Sequence, residues 1–208
     1  MQTLAVDGAG IAMVTLSGNR GVVCSTNEVA ARIEDLQFTL GEGPCVDAVK
    51  EAAPVLVPDL HDPQDLAVER WPAFLAGAVA AGVSAVFAFP LRVGAIRLGV
   101  LDLYRSRPGE LTADQLSAGL MAADEAALAL LHLTSDGRPD AFADDFDAGS
   151  AYQFHVYQAT GMVQVQAGVT TEQALLILRA RAFSTGRPLA ELAADVVNRN
   201  LRFSEEDQ

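Results

Sequence analysis

The apolar positions of this chain follow two periods in turn. Residues 9–16 form a continuous apolar run of strand length, Ala-Gly-Ile-Ala-Met-Val-Thr-Leu. The turn signal Gly18-Asn19-Arg20-Gly21 separates it from a second strand at Val22-Val23-Cys24. From Asn27 the spacing lengthens: Val29, Ile33 and Leu36 recur at i, i+4 and i+7 and predict a helix. Gly41-Glu42-Gly43-Pro44-Cys45 breaks that helix. Pro44, whose fixed φ suits a first helical turn, starts a short helix reaching Glu51. Pro54 and Pro58 bracket a short strand, Val55-Leu56-Val57. After a loop at Asp62-Pro63, Trp71-Pro72 opens a helix over 73–81 that Gly82 closes. Strands at 84–91 and 97–104 flank a hairpin connection containing Gly94. Thr112 caps the longest helix, about 112–133, with Leu116, Leu120, Ala123, Ala127, Leu130 and Leu131 as its apolar stripe.

Strands, helices, strands and a helix in that order predict an α+β domain with an antiparallel sheet over residues 1–134. Residues 135–150 hold five Asp, two Gly and one Pro with no apolar period, and read as an acidic linker. Residues 151–208 carry three helical patterns. The first, about 151–166, sets Tyr152, Val156, Ala159 and Val163 on one face, and Gly168 suits a left-handed stop. Thr170 caps the second, with Gln173 completing a capping box, and its face is Ala174, Leu175, Leu178 and Ala182. Gly186 ends it. Pro188 precedes the third, where Leu189, Leu192, Ala193, Val196 and Val197 keep helical spacing without a miss.

Charge changes this picture. The net charge of −13 argues at first against a polyanionic partner, but it is unevenly spread. Residues 1–150 hold 9 basic and 21 acidic side chains, whereas residues 151–203 hold 5 basic and 3 acidic ones. The five are all Arg, the side chain suited to phosphate forks and base stacking. No apolar run reaches the roughly 18 residues that span a bilayer. The N-terminus lacks the basic start and cleavage pattern of a secretory signal. Cys24 and Cys45 make neither a disulfide framework nor a metal spacing and fit buried thiols in a reducing cytoplasm.

The C-terminal residues Gln158-Ala159-Thr160-Gly161-Met162, Ala174, Leu178-Arg179, Ala182, Arg187-Pro188-Leu189 and Ala193-Ala194 resemble the ANTAR family of RNA-binding antiterminator domains over about 148–203. Many members carry Lys where this chain has Thr160. The first part resembles a GAF domain of the type found ahead of ANTAR modules, over about 8–133. Gly41-Glu42-Gly43-Pro44-Cys45, Pro58-Asp59-Leu60, Arg70-Trp71-Pro72, Ala81-Gly82-Val83 and Pro90-Leu91-Arg92 carry that resemblance. Such domains usually begin with one more helix than the few residues before the first strand here allow. The whole is similar to actinobacterial-type GAF and ANTAR antitermination regulators.

The resemblance implies that the three helices bind RNA hairpins in a nascent transcript, and that two units act together as a homodimer on two hairpins. The RNA-binding candidates are Thr160, Gly161, Arg179, Arg181, Arg187, Arg199 and Arg202. Thr160 and Gly161 would permit close backbone approach, although Gly161 equally suits tight helix packing. Arg stacks on splayed bases and pairs with phosphates. Trp71 and Phe74 either line a small-molecule pocket in the sensor or belong to its core. The Gly-Glu-Gly-Pro-Cys stretch lacks the Lys-Ser/Thr of a phosphate loop and reads as a structural turn. His61, His132 and His155 have no ligand-spaced partners, so neither a metal, a cofactor nor a catalytic set is expected. The signal is an unidentified small molecule or protein. The competing reading is an interaction scaffold whose three helices only dimerise.

Overall fold

A computed structural model describes residues 4–14, 20–62, 67–135 and 148–203. The chain divides into two compact units, Met1–Phe146 and Asp147–Gln208. The expected linker residues 136–147 lie outside the described residues.

The first unit is built on a five-stranded antiparallel sheet of order β2-β1-β5-β4-β3, formed by β1 (Gly8–Val14), β2 (Arg20–Ser25), β3 (Val55–Val57), β4 (Ala85–Val93) and β5 (Ile96–Arg105). Its helices are α1 (Glu28–Leu40), α2 (Pro44–Glu51), a single turn α3 (Ala67–Arg70), α4 (Pro72–Ala80) and α5 (Ala113–Ser135). The sheet is covered on both faces, so β4 and β5 are buried nearly without alternation. On one face Ala12, Val86, Ala88, Val100 and Tyr104 pack with Ile33, Cys45, Trp71, Phe74 and Ala78. On the other, Phe87, Phe89, Leu91, Leu101 and Leu103 meet Ala123, Ala127 and Leu130 of α5, together with Leu4 and Val6.

Local chemistry accounts for the boundaries. The Asn27 side chain accepts from Ala30 N and caps α1, and Gly41 closes it at φ 71°. α4 has no capping side chain of its own. Glu42 from the preceding loop supplies one: its Oε1 accepts the amides of Ala73 and Phe74, each at 2.8 Å. The Gly41–Cys45 stretch is thus a turn, as expected, and also the clamp on a helix start.

Two expected stripes are displaced. The buried face of α1 is Ala30, Ile33, Glu34, Gln37 and Phe38, and Val29 is exposed. The face is rotated by one residue because two of its members are polar, which hid it from a count of apolar positions. On α5, Leu120 is exposed along with Met121 and Leu128, and the sheet is met by Ala123, Ala127 and Leu130. Gly119 explains the register: a Cβ there would come within 2.7 Å of the Phe89 ring, so the backbone docks where a leucine would not fit.

The second unit has three helices, α6 (Ala148–Ala167), α7 (Thr171–Thr185) and α8 (Leu189–Val197). α6 starts three residues inside the expected linker. The Thr170–Gln173 capping box is formed. Gly168 and Gly186 stop their helices at φ 67° and 63°. The core is made of small and branched side chains: Val156, Ala159 and Val163 of α6, Ala174, Leu178 and Ala182 of α7, and Leu189, Leu192, Ala193 and Val196 of α8. No helix among the described residues is long and apolar enough to cross a membrane.

Candidate RNA interface and sensor core

The seven RNA-binding candidates fall into different environments. Thr160 is 1% exposed, and its hydroxyl donates to the Val156 carbonyl at 2.7 Å one turn back on α6. That side chain belongs to the three-helix core and has no surface to offer RNA, which corrects its place among the contacts. Gly161 is exposed, and a Cβ built on it would meet nothing within 4 Å, so close helix packing does not explain the glycine. Arg179 is half-buried. Arg187 pairs with Asp195 at 2.7 Å and ties the turn after α7 to α8, an interaction that also holds the Asp195 carboxyl below its usual range.

Arg181, Arg199 and Arg202 are exposed. Arg199 and Arg202 lie three residues apart beyond the C-terminus of α8, whose dipole favours cations there. Arg199 adopts φ 64°, the left-handed position that usually takes glycine, with its amide donating to Val196 O at 3.0 Å. A side chain in that conformation costs about 1–2 kcal/mol. Phe203 then turns back into the unit: its ring is buried, and its amide donates to Gln166 Oε1 at 3.0 Å. The segment carrying both arginines is therefore held at each end.

In the first unit Trp71 and Phe74 are 3% and 0% exposed and meet edge to face at 6.4 Å between ring centroids. The indole N–H donates to Asp47 Oδ2 at 3.0 Å, and the Arg70 guanidinium, itself paired with Asp47 and Glu51, lies 4.9 Å over the ring. Of their two readings the structure selects the core; the pair does not line the cavity described next.

That cavity, of about 10 Å³, is lined by Ala12, Gly21, Val22, Glu34, Gln37, Phe38 and Cys45. Beside it is a polar cluster that the sequence reading missed. Glu34, Gln37 and Asp102 are 3%, 2% and 1% exposed. Gln37 Nε2 donates to Asp102 Oδ2 at 3.3 Å, and Gln37 Oε1 accepts the Cys45 amide at 2.8 Å. Burial first, then the charge of Asp102 and a hydrogen bond to it, hold the Glu34 carboxyl well above its usual range. One sequence signal did point here: Asp102 is the lone carboxylate in Gly99-Val100-Leu101-Asp102-Leu103-Tyr104, where every neighbour is apolar or aromatic.

A model of the GAF domain family matches residues 1–131, and a model of the ANTAR domain matches residues 154–197. The chain belongs to the GAF domain family. Behind its GAF domain it carries an ANTAR domain. GAF domains are sensors and ANTAR domains are RNA-binding antitermination modules, so the two-part chain joins signal reception to regulation through RNA. Several solved structures are similar, GAF domains among them. A domain of a two-component sensor histidine kinase protein from Sinorhizobium meliloti 1021 is 16% identical, with a TM-score of 0.50 over 65% of this chain and 86% of that one. The cyanobacteriochrome TePixJ GAF domain is 18% identical, with a TM-score of 0.50 over 64% and 82%. A GAF domain of Synechocystis sp. PCC6803, solved in its photoproduct state, is 14% identical, with a TM-score of 0.50 over 66% and 89%. Likeness at these identities establishes the GAF fold alone. No curated protein matches the chain.

Proposed function

We propose that this protein is a transcription antitermination regulator in which the GAF domain controls binding of the ANTAR domain to paired RNA hairpins in a nascent transcript. The observation that carries the reading is the state of Arg199. A non-glycine residue is kept in the left-handed conformation at a helix end, beside exposed Arg202, on a segment anchored by Phe203. Ala5 and Ala52 share that conformation, so what sets Arg199 apart is the exposed arginine pair it makes with Arg202 on a segment held at both ends. Arg181, Arg199 and Arg202 are the side chains assigned to RNA, and exposed Gly161 leaves backbone open to approach. Arg187 contributes less, because contact with RNA would compete with Asp195.

The regulator works as a homodimer in the cytoplasm, so that two ANTAR units meet two hairpins. Exposed apolar side chains support self-association: Leu120, Met121 and Leu128 on α5, and Leu176 and Phe183, seven residues apart, on α7. The signal acts through α5 and the acidic stretch 135–150, which divides the sensor part (1–134) from the RNA-binding part (151–208), and so repositions the two units. A gel shift at low salt with RNA carrying two tandem hairpins tests the proposal. The full chain should retain the tandem RNA more strongly than a single hairpin, and Arg181→Ala with Arg202→Ala should release it. If the chain sediments as a dimer yet retains neither RNA, the three helices are a dimerisation scaffold and the RNA reading fails.

A further inference from the structure

The polar cluster at the centre of the sensor sheet is unlike the rest of the core. Glu34 on α1, Cys45 on α2 and Asp102 on β5 each place one donor atom within 4.8 Å of the others, and each residue is at least 97% buried. Two carboxyl groups so far from solvent are costly unless a cation or a shared proton compensates them. We propose that Glu34, Cys45 and Asp102 form a binding site for one divalent transition-metal ion of the zinc type.

Several independent features point to a built site rather than a chance meeting of acids. A sulfur and two carboxylate oxygens form a donor set that suits a borderline metal; magnesium and calcium require six or more oxygens. The adjoining cavity has room for one water-sized particle. Glu34 and Cys45 line it, and it reaches half-buried Gly21 and Val22 on the edge strand β2, which gives a route from solvent. Gln37 touches two of the three ligand residues at once, through Asp102 Oδ2 and the Cys45 amide, as an outer residue that orients ligands does. Two glycines are cut to the shape of the cluster. A Cβ on Gly10, the strand partner of Asp102, would lie 2.4 Å from Glu34 Oε1, and one on Gly43 would lie 2.6 Å from Gln37 Oε1.

On binding, the Cys45 thiol and the Glu34 carboxyl release their protons to solvent, three anionic donors face a dication, and the local net charge stays at −1. Drawing donors that lie up to 4.8 Å apart to metal bonds of about 2.0–2.3 Å closes α1 and α2 onto β5. The site would give the sensor a signal of its own, and it stands whether or not the C-terminal helices bind RNA.

The test uses the full chain, reduced and stripped with a chelator, and Co²⁺ as a coloured probe. The expected result is one equivalent bound, with a thiolate-to-cobalt absorption band that Zn²⁺ removes by displacement. Zn²⁺ should also raise the thermal midpoint followed through Trp71. Cys45→Ser should abolish the band, Cys24→Ser should keep it, and Glu34→Gln should weaken binding by at least about tenfold. Should Cys45→Ser not fold, the Glu34→Gln and Cys24→Ser titrations decide the location. No thiolate band with the parent chain overturns the proposal. So does a band that survives Cys45→Ser, is lost in Cys24→Ser or is unweakened in Glu34→Gln, or a midpoint that Mg²⁺ raises as much as Zn²⁺.

Discussion

Gly10→Ala probes the buried carboxylate directly. The new Cβ would fall 2.4 Å from Glu34 Oε1 and 2.8 Å from both Cδ and Cγ. Glu34 is 3% exposed, so only the small cavity beside it offers room to shift. Overpacking of this kind costs about 1–3 kcal/mol. Replacing a strand glycine with alanine opposes it by about 0.5–1 kcal/mol, through the lower entropy of the unfolded chain. The net expectation is a loss of about 0.5–2 kcal/mol. In a Glu34→Ala background the clash disappears and only the entropic gain remains, so the same substitution should stabilise by about 0.5–1 kcal/mol. The cycle therefore predicts a change of sign and a coupling of about 1–3 kcal/mol. Urea unfolding followed by tryptophan fluorescence reads it cleanly, because Trp71 is the only tryptophan and lies in the sensor core. If Gly10→Ala has the same effect in both backgrounds, Glu34 does not occupy the space assigned to it.

Other outcomes follow from single contacts. Glu42→Ala removes two charge-assisted acceptor contacts at the start of α4 and should cost about 1–3 kcal/mol by the same urea assay; a change below about 0.3 kcal/mol contradicts the clamp. Asp7 accepts the amide and hydroxyl of Ser106 at 2.6 and 2.7 Å, which lower its pKa from 3.8, the backbone bond first. Its contribution is therefore present above pH 3.8 and is lost as pH falls below it. Asp7→Asn should flatten that acid slope of stability, and an unchanged slope refutes the assignment. Arg199→Gly should relieve the left-handed strain and stabilise the ANTAR domain by up to about 1 kcal/mol in thermal melts followed by circular dichroism, while weakening RNA retention. Loss of stability, or undiminished RNA binding, would show that the residue is there for packing.

The fold was legible where one physical signal dominates. Pro44, the Pro54–Pro58 bracket, the Thr170–Gln173 box and Gly186 marked element ends that the structure keeps. The α1 face was misplaced because Glu34 and Gln37 occupy core positions, so the hydrophobic pattern named a neighbouring stripe. Beyond the lone carboxylate of Asp102 in an apolar strand, the cluster of Glu34, Cys45 and Asp102 left no trace in the sequence pattern, for a related reason. Its members are 11 and 57 residues apart in sequence and meet only once β5 is paired in the sheet and the helices cover it. At the RNA module the sequence identified the arginines but not their commitments. Only the fold reveals that Arg187 is already paired and that Thr160 faces inward.

In the proposed function, exposed arginines of the ANTAR domain meet RNA phosphates. The most direct measurement is the affinity of the full chain for tandem-hairpin RNA as a function of salt, for the parent and for a triple variant with Arg181, Arg199 and Arg202 each changed to Ala. Counterion release makes log K fall linearly with log salt, by roughly 0.7–0.9 per phosphate neutralised. The triple variant should therefore bind more weakly, with a slope shallower by roughly 2–3. A salt-independent affinity, or an identical slope in the variant, contradicts the account.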